Sequence, residues 1–286
     1  MRILITGADG QLGLELQEAL KGDTLIPLVW PAFDLLKPDV EEQIAAAAPD
    51  VIIHAAAYTN VDKAEQEPDM AMAVNGDGTA RVARAADKVG ARLIYISTDY
   101  VFDGTKGRPY EESDATNPLG AYGRSKREGE QRALAGCADT LVVRTAWLYS
   151  AHGANFVKTI MRVAREQREL RVVNDQYGCP THAGELARAL SRIVQLPLKG
   201  IVHAAGSGHC TWHGLASAIV AFMAVPVNVL PISTKDANRP APRPAYGVLA
   251  NRILAGAGIS LPHWKDSLAK FFEDKTVRGS AFDVQD

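Results

Sequence analysis

The segment Gly7-Ala8-Asp9-Gly10-Gln11-Leu12-Gly13 closely follows the short apolar run Ile3 to Ile5 and leads straight into the helically patterned stretch Leu12 to Leu20. A strand, a glycine turn and a helix in that order leave few folds open. The turn needs Gly7 to be tight, Gly10 to let backbone N–H groups approach a diphosphate, and Gly13 to let the helix lie close on the strand. At the head of an alternating α/β chain, this pattern reads as a dinucleotide-binding turn, with Gly7, Gly10, Gln11, Leu12 and Gly13 against the cofactor.

The alternation continues. Val51 to Ala56 precedes a helical pattern from about Asp69 to Val89, Arg92 to Ser97 precedes one from Tyr122 to Leu134, and Thr140 to Thr145 follows. Strands alternating with helices predict an α/β fold: a Rossmann-type doubly wound parallel sheet with right-handed crossovers, binding ligands at its strand C-termini. After Leu148 the rhythm loosens, with helical patterns at about Asn155 to Glu169, His182 to Gln195 and Thr211 to Met223, and strands at Leu170 to Asn174 and Gly200 to Ala204. We expect a dinucleotide-binding domain over residues 1–150 and a smaller C-terminal α/β substrate domain over 151–286, with segments near 182–205 returning to the first. The proline-rich stretch Asn238 to Pro244 reads as a loop able to close over substrate, and Gly279 to Asp286 as a polar tail.

The 286 residues carry a net charge of -2, with Lys plus Arg at 31 against 33 Asp plus Glu, so no basic footprint for nucleic acid or anionic lipid is present. Three widely spaced cysteines fit free thiols in a reducing compartment, and the opening apolar run is too brief for a signal peptide or a membrane span. The expectation is a cytoplasmic protein with a small-molecule partner. In His209-Cys210-Thr211-Trp212-His213, Thr211 is expected to cap the following helix rather than the group to hold zinc.

Tyr122 and Lys126 stand four residues apart, on one face of a helix. A tyrosine is a poor acid–base group near neutrality, so the lysine ammonium and a cationic nicotinamide are expected to favour its phenolate. Alone the pair is common. Thr98, at the C-terminal end of the run Leu93 to Ser97, adds a hydroxyl able to hydrogen-bond a carbonyl under reduction. Together with the glycine turn, Thr98, Tyr122 and Lys126 form a catalytic set for hydride chemistry. At the end of the second strand-like run, Leu25 to Trp30, Asp34 and the adjoining Leu35 are the candidates for the adenosine side. No arginine beside the glycine turn claims a 2′-phosphate, which leaves NADPH and NADH both open.

The glycine spacing and the Thr98, Tyr122, Lys126 set are similar to those of extended short-chain dehydrogenases. A wider match over nearly the whole chain, including His54-Ala55-Ala56-Ala57-Tyr58-Thr59-Asn60-Val61-Asp62-Lys63-Ala64-Glu65, Ser97-Thr98-Asp99-Tyr100-Val101-Phe102, Arg144-Thr145-Ala146-Trp147 and Asn174 to Thr181, resembles the dTDP-4-dehydrorhamnose reductase family. The resemblance implies that Ala55, Ala56 and Ala57 line an NADPH or NADH cofactor and that Asn75 supports its nicotinamide side. It implies a dTDP-sugar lying among Thr59, Val61, Asp99, Tyr100 and Trp147, with Arg243 as a diphosphate ligand. Hydride delivery to C4 of dTDP-4-dehydro-β-L-rhamnose, giving dTDP-L-rhamnose, is the implied reaction. It further implies a homodimer, and in some members Mg²⁺ at the dimer interface, for which Glu15 and Glu185 occupy matching places. One departure is Tyr246, a bulky aromatic where the family has a small polar residue after its Arg-Pro. The alternatives are a reductase or epimerase of another 4-keto-deoxy sugar nucleotide, and a non-catalytic NADP-binding subunit like that regulating methionine adenosyltransferase.

Overall fold

The computed structural model describes residues 1–274 and Val277; the expected polar tail from Gly279 lies outside the described residues. The strands are β1 (Arg2–Thr6), β2 (Thr24–Leu28), β3 (Val51–His54), β4 (Arg92–Thr98), β5 (Thr140–Thr145), β6 (Leu148–Tyr149), β7 (Glu169–Val173), β8 (Tyr177–Gly178), β9 (Thr181–His182), β10 (Gly200–His203), β11 (Cys210–Thr211) and β12 (Asn228–Ile232). The helices are α1 (Gln11–Ala19), α2 (Val40–Ala47), α3 (Val61–Gln66), α4 (Pro68–Met72), α5 (Thr79–Val89), α6 (Ala121–Gly136), α7 (Phe156–Glu166), α8 (Ala183–Ile193), α9 (Trp212–Met223), α10 (Thr234–Ala237), α11 (Arg252–Gly256) and α12 (Trp264–Glu273).

Six strands form one parallel sheet in the order β10-β5-β4-β3-β1-β2. Its side chains alternate between two cores. Ile3, Ile5, Val51, Ile53, Ile94, Leu141 and Val143 pack with α1 and α8 on one face. Leu4, Ile52, Leu93, Tyr95 and Val142 pack with α2 and α5 on the other. This is why the strands read as continuous apolar runs rather than alternating ones: both faces are buried under helices. Replacing Leu4, fully buried, by alanine should cost about 2–5 kcal/mol.

Most of the second half stands outside this sheet. Three two-stranded ladders form there: β12 with β7 and β6 with β9 in parallel, and β8 with β11 antiparallel. Helices α7, α9 and α12 enclose a separate core around Met161, Leu215, Ile219, Trp264 and Leu268. Strand β10 joins the main sheet beside β5, and α8 packs on α1.

The Asp69 to Val89 helix expected from the sequence is not one regular helix. It is α4, a π-helical turn over Ala73–Gly78 and then α5. Glycines at 76 and 78 weaken regular pairing there, and close neighbours, the Met72 sulfur and the Leu35 side chain, fill the space a Cβ would need.

Candidate active site

The strand C-termini open into a cleft of about 770 Å³, within the range of cofactor and ligand pockets. The glycine turn forms its floor. Gly7 has φ +65°, and a Cβ there would meet Ala56 backbone at 2.8 Å; a Cβ at Gly13 would stand 2.2 Å from the Gly7 carbonyl oxygen. Turn tightness and helix-on-strand packing thus both exclude side chains, and the extended Gly10 precedes the α1 N-terminus, whose free N–H groups suit a diphosphate.

Of the residues singled out in the sequence, Gly7, Gly10, Gln11, Leu12, Gly13, Asp34, Leu35, Ala55, Ala56, Ala57, Thr59, Val61, Thr98, Asp99, Tyr100, Tyr122, Lys126 and Trp147 all line this one cleft. Asp34 also closes a local turn, its Oδ1 accepting from the Leu36 amide at 2.9 Å.

Five others, Asn75, Arg243, Tyr246, Glu15 and Glu185, do not line it. Asn75, in the π turn, spends its amide inside the protein: Oδ1 accepts from the Tyr58 amide at 2.8 Å, and Nδ2 donates to Ser125 Oγ at 2.9 Å and to the Tyr58 carbonyl at 3.1 Å. It holds the 55–59 loop against α6. Arg243 points at Asp62, Nη2 to Oδ2 at 3.0 Å, while the Ala241 amide donates to Oδ1 of the same carboxylate. That pair pins the proline-rich loop to α3. Tyr246 packs with Tyr177 and His209 instead.

Glu15 and Glu185 do not fit a Mg²⁺ centre within the chain. The Glu185 carboxylate is already paired with Arg188 at 2.8 Å and Lys270 at 3.7 Å, and no group of three metal-binding side chains occurs among the described residues. Thr211 caps α9, accepting from the Gly214 amide at 3.0 Å, and the His213 ring is 3.0 Å from the Val229 carbonyl.

The electrostatics correct one expectation. Lys126 is buried, donates to the Ile96 carbonyl at 2.8 Å and lies 4.1 Å from the centre of the Tyr95 ring. Burial pushes its pKa down to about 7. Tyr122 is shifted upward, not toward phenolate: burial is the larger cause, a hydrogen bond with Thr98 opposes it, and Asp99 adds to it. The ammonium is directed at Ile96 and Tyr95, and burial leaves the phenol its proton.

Beneath the cleft runs a polar chain that sequence reasoning missed. Thr6 Oγ1 is 2.7 Å from His54 Nδ1, His54 Nε2 is 3.2 Å from Thr79 Oγ1, and Thr79 donates to the Asn75 carbonyl at 2.7 Å. Because the Thr79 hydrogen is committed, His54 must donate from Nε2, and in the neutral ring Nδ1 then accepts from Thr6. Burial, with Lys126 nearby, lowers its pKa to about 3. The only sequence signal was a histidine ending an otherwise apolar strand. A second buried set, Arg144 to Glu130 at 2.7 and 2.8 Å and Ser97 to Glu130 at 2.6 Å, ties β4 and β5 to α6. Trp212 was missed as well. It lines the cleft and stacks on Trp147, ring centroids 3.5 Å apart, with Trp147 itself held at φ +47°.

Known proteins match the chain over nearly its whole length. The family profile described as "RmlD substrate binding domain" matches residues 1–277. A dTDP-4-dehydrorhamnose reductase of Mycobacterium tuberculosis is 44% identical over 278 residues, covering 94% of this chain and 91% of the relative. The spore coat polysaccharide biosynthesis protein SpsK of Bacillus subtilis is 38% identical, covering 96% and 98%. The crystal structure of a Bacillus anthracis dTDP-4-dehydrorhamnose reductase in complex with NADP superposes with a TM-score of 0.93 at 39% identity, covering 95% of this chain and 98% of that one. A parallel sheet with a glycine turn, a Thr98, Tyr122 and Lys126 cluster at its C-terminal edge, and these near full-length matches place the chain in the RmlD substrate-binding-domain family, that of the dTDP-4-dehydrorhamnose reductases.

Proposed function

We propose that the protein is an NAD(P)H-dependent oxidoreductase that reduces the C4 keto group of dTDP-4-dehydro-β-L-rhamnose to give dTDP-L-rhamnose. The observation that carries this reading is the meeting of the glycine turn with Thr98, Tyr122 and Lys126 in one cleft. The names of the 44%-identical M. tuberculosis relative and of the NADP-bound B. anthracis relative support the substrate and the cofactor class.

A bound reduced nicotinamide supplies the hydride. The protein does the rest. The glycine turn and the α1 N-terminus hold the diphosphate, with Ala55, Ala56 and Ala57 beside it and Asp34 and Leu35 toward the adenosine. Thr98 hydrogen-bonds the carbonyl oxygen and stabilises the charge that grows on it. Tyr122, kept protonated by its burial, donates that proton to the developing alkoxide. Lys126, fixed by the Ile96 carbonyl, holds the ribose hydroxyls beside the phenol. Thr59, Val61, Asp99, Tyr100 and Trp147 border the sugar. Arg243, paired with Asp62 and next to the cleft residue Tyr100, is the candidate for the sugar diphosphate.

A cytoplasmic setting and a homodimer belong to this reading. Among the described residues no helix is long and apolar enough to cross a membrane. The test is Tyr122→Phe: turnover should fall about 10²–10⁴-fold while the cofactor dissociation constant stays within a factor of about three of wild type. Turnover retained in that variant would remove Tyr122 from the mechanism.

A further inference from the structure

The Thr98 hydroxyl has more claimants than hydrogens. Its oxygen accepts from the Tyr100 amide at 3.2 Å, capping the 3₁₀ turn Asp99–Val101, and its hydrogen goes to Oδ1 of Asp99 at 3.1 Å. The Tyr122 phenol shares a hydrogen bond with the same hydroxyl, and a substrate carbonyl would be a further claimant. A hydroxyl donates only once, so while Asp99 is a carboxylate it takes the hydrogen that the carbonyl needs.

Asp99 is enclosed. Its side chain is 2% exposed, and a Cβ at Gly247 would stand 2.6 Å from its Oδ2, so only glycine leaves the carboxyl its place. The titratable groups facing it are Tyr100 from its own turn, Tyr122 from α6 and Cys179 from between β8 and β9, none of them a cation among the described residues. Burial pushes its pKa up to about 7, against the hydrogen bonds from Thr98 and the turn amides. Both protonation forms are therefore within reach near neutrality.

We propose, on the reading that this site reduces a carbonyl, that Asp99 is a positioning residue that aims the Thr98 hydrogen, and that the reducing form is the one with a protonated Asp99 carboxyl. In that form the carboxyl O–H donates to the Thr98 oxygen. The Tyr100 amide and Asp99 then fill both lone pairs, and the hydroxyl's one hydrogen points outward, where the Tyr122 phenol and a carbonyl in the cleft both lie within its reach. In the ionised form the hydroxyl turns to Asp99 and offers the carbonyl a lone pair, which repels it.

The experiment is the pH profile of kcat/KM for wild type, Asp99→Asn, Thr98→Ser and Thr98→Val. Lys126, with its pKa near 7, must also stay protonated, so two groups lose protons as pH rises. Wild type should fall about 100-fold per pH unit above both midpoints and Asp99→Asn only about 10-fold. Thr98→Ser should keep the wild-type steepness. A side chain that merely props the turn would change the level of activity and leave the steepness alone, and an Asp99→Asn profile as steep as wild type overturns the proposal.

A second readout needs no turnover. Carboxyl ¹³C titration of the full chain, with Asp99 assigned from the Asn variant, should give a midpoint near 7, and Thr98→Val should raise it because the carboxylate loses its donor. An unraised midpoint in that variant, or a wild-type midpoint near 4, also overturns it. Wild type that turns over neither reduced nicotinamide would instead defeat the functional reading, with the titration still judging Asp99.

Discussion

The six-stranded sheet and the three small ladders beside it position their functional groups by different physics. In the sheet, Gly7, Thr98, Tyr122 and Lys126 sit at ends or on faces of regular elements, so the backbone period alone aims them at the cleft. Around the ladders, Trp147, Trp212 and Arg243 are aimed by contacts between distant parts of the chain: a ring stack, a positive φ at 147, an ion pair to Asp62. The first kind of site is robust and legible. The second is adjustable, and it is where substrate choice can change without disturbing the hydride chemistry.

If that contrast is right, damage in the sheet half should cost stability and damage near the ladders should cost substrate affinity. The largest effect should come from Glu130→Ala. The carboxylate is fully buried with Arg144 and Ser97, so its loss strands a buried cation and should cost about 3–5 kcal/mol, read from urea unfolding. A cost under about 1 kcal/mol would mean that the pair does not clamp β4 and β5 to α6.

A smaller effect follows from pH. His54, His182 and His203 have pKa values lowered to about 3, 4 and 3, burial being the first cause in each. The unfolded chain takes up protons near pH 6.5 that the folded chain refuses, so the stability these three rings contribute is full above about 6.5 and falls as pH drops toward 4. Asp99, whose raised pKa lets the folded state bind a proton over the same range, offsets one of the three. The net loss should approach two protons, about 2.7 kcal/mol per pH unit near pH 5. Unfolding free energies that stay flat between pH 6.5 and 5 would show that these rings are not neutral in the core.

The smallest effect belongs to the ladder side. Trp212→Ala removes the ring stacked on Trp147 and should raise the sugar-nucleotide KM about tenfold, roughly 1.4 kcal/mol, with cofactor affinity unchanged. A change in cofactor affinity instead would erase the distinction between the two regions.

The same contrast explains what the sequence made legible. The glycine turn and the apolar strand runs are local signals, tied to one tight turn and to helices on both sheet faces. The Tyr122 and Lys126 spacing is likewise local. The direction of the Tyr122 shift was not, because it follows from the burial of the phenol and from Thr98 and Asp99 beside it, which only the fold brings together. Asn75 was recognisable as important but not as an internal brace, since its partners Tyr58 and Ser125 come from other elements. The Thr6, His54 and Thr79 chain and Trp212 have no sequence period at all. Arg243 stood out through the family resemblance, while its ion pair with Asp62 joins segments far apart in the chain and has no local signal.

The central claim, that this cleft performs a nicotinamide-dependent reduction of a 4-keto sugar nucleotide, is tested most directly by mixing purified protein with dTDP-4-dehydro-β-L-rhamnose and either NADPH or NADH. Loss of the reduced-nicotinamide absorbance, with dTDP-L-rhamnose as the product and both signals absent in Tyr122→Phe, is the result predicted. Cofactor binding with no oxidation of either nicotinamide would contradict it.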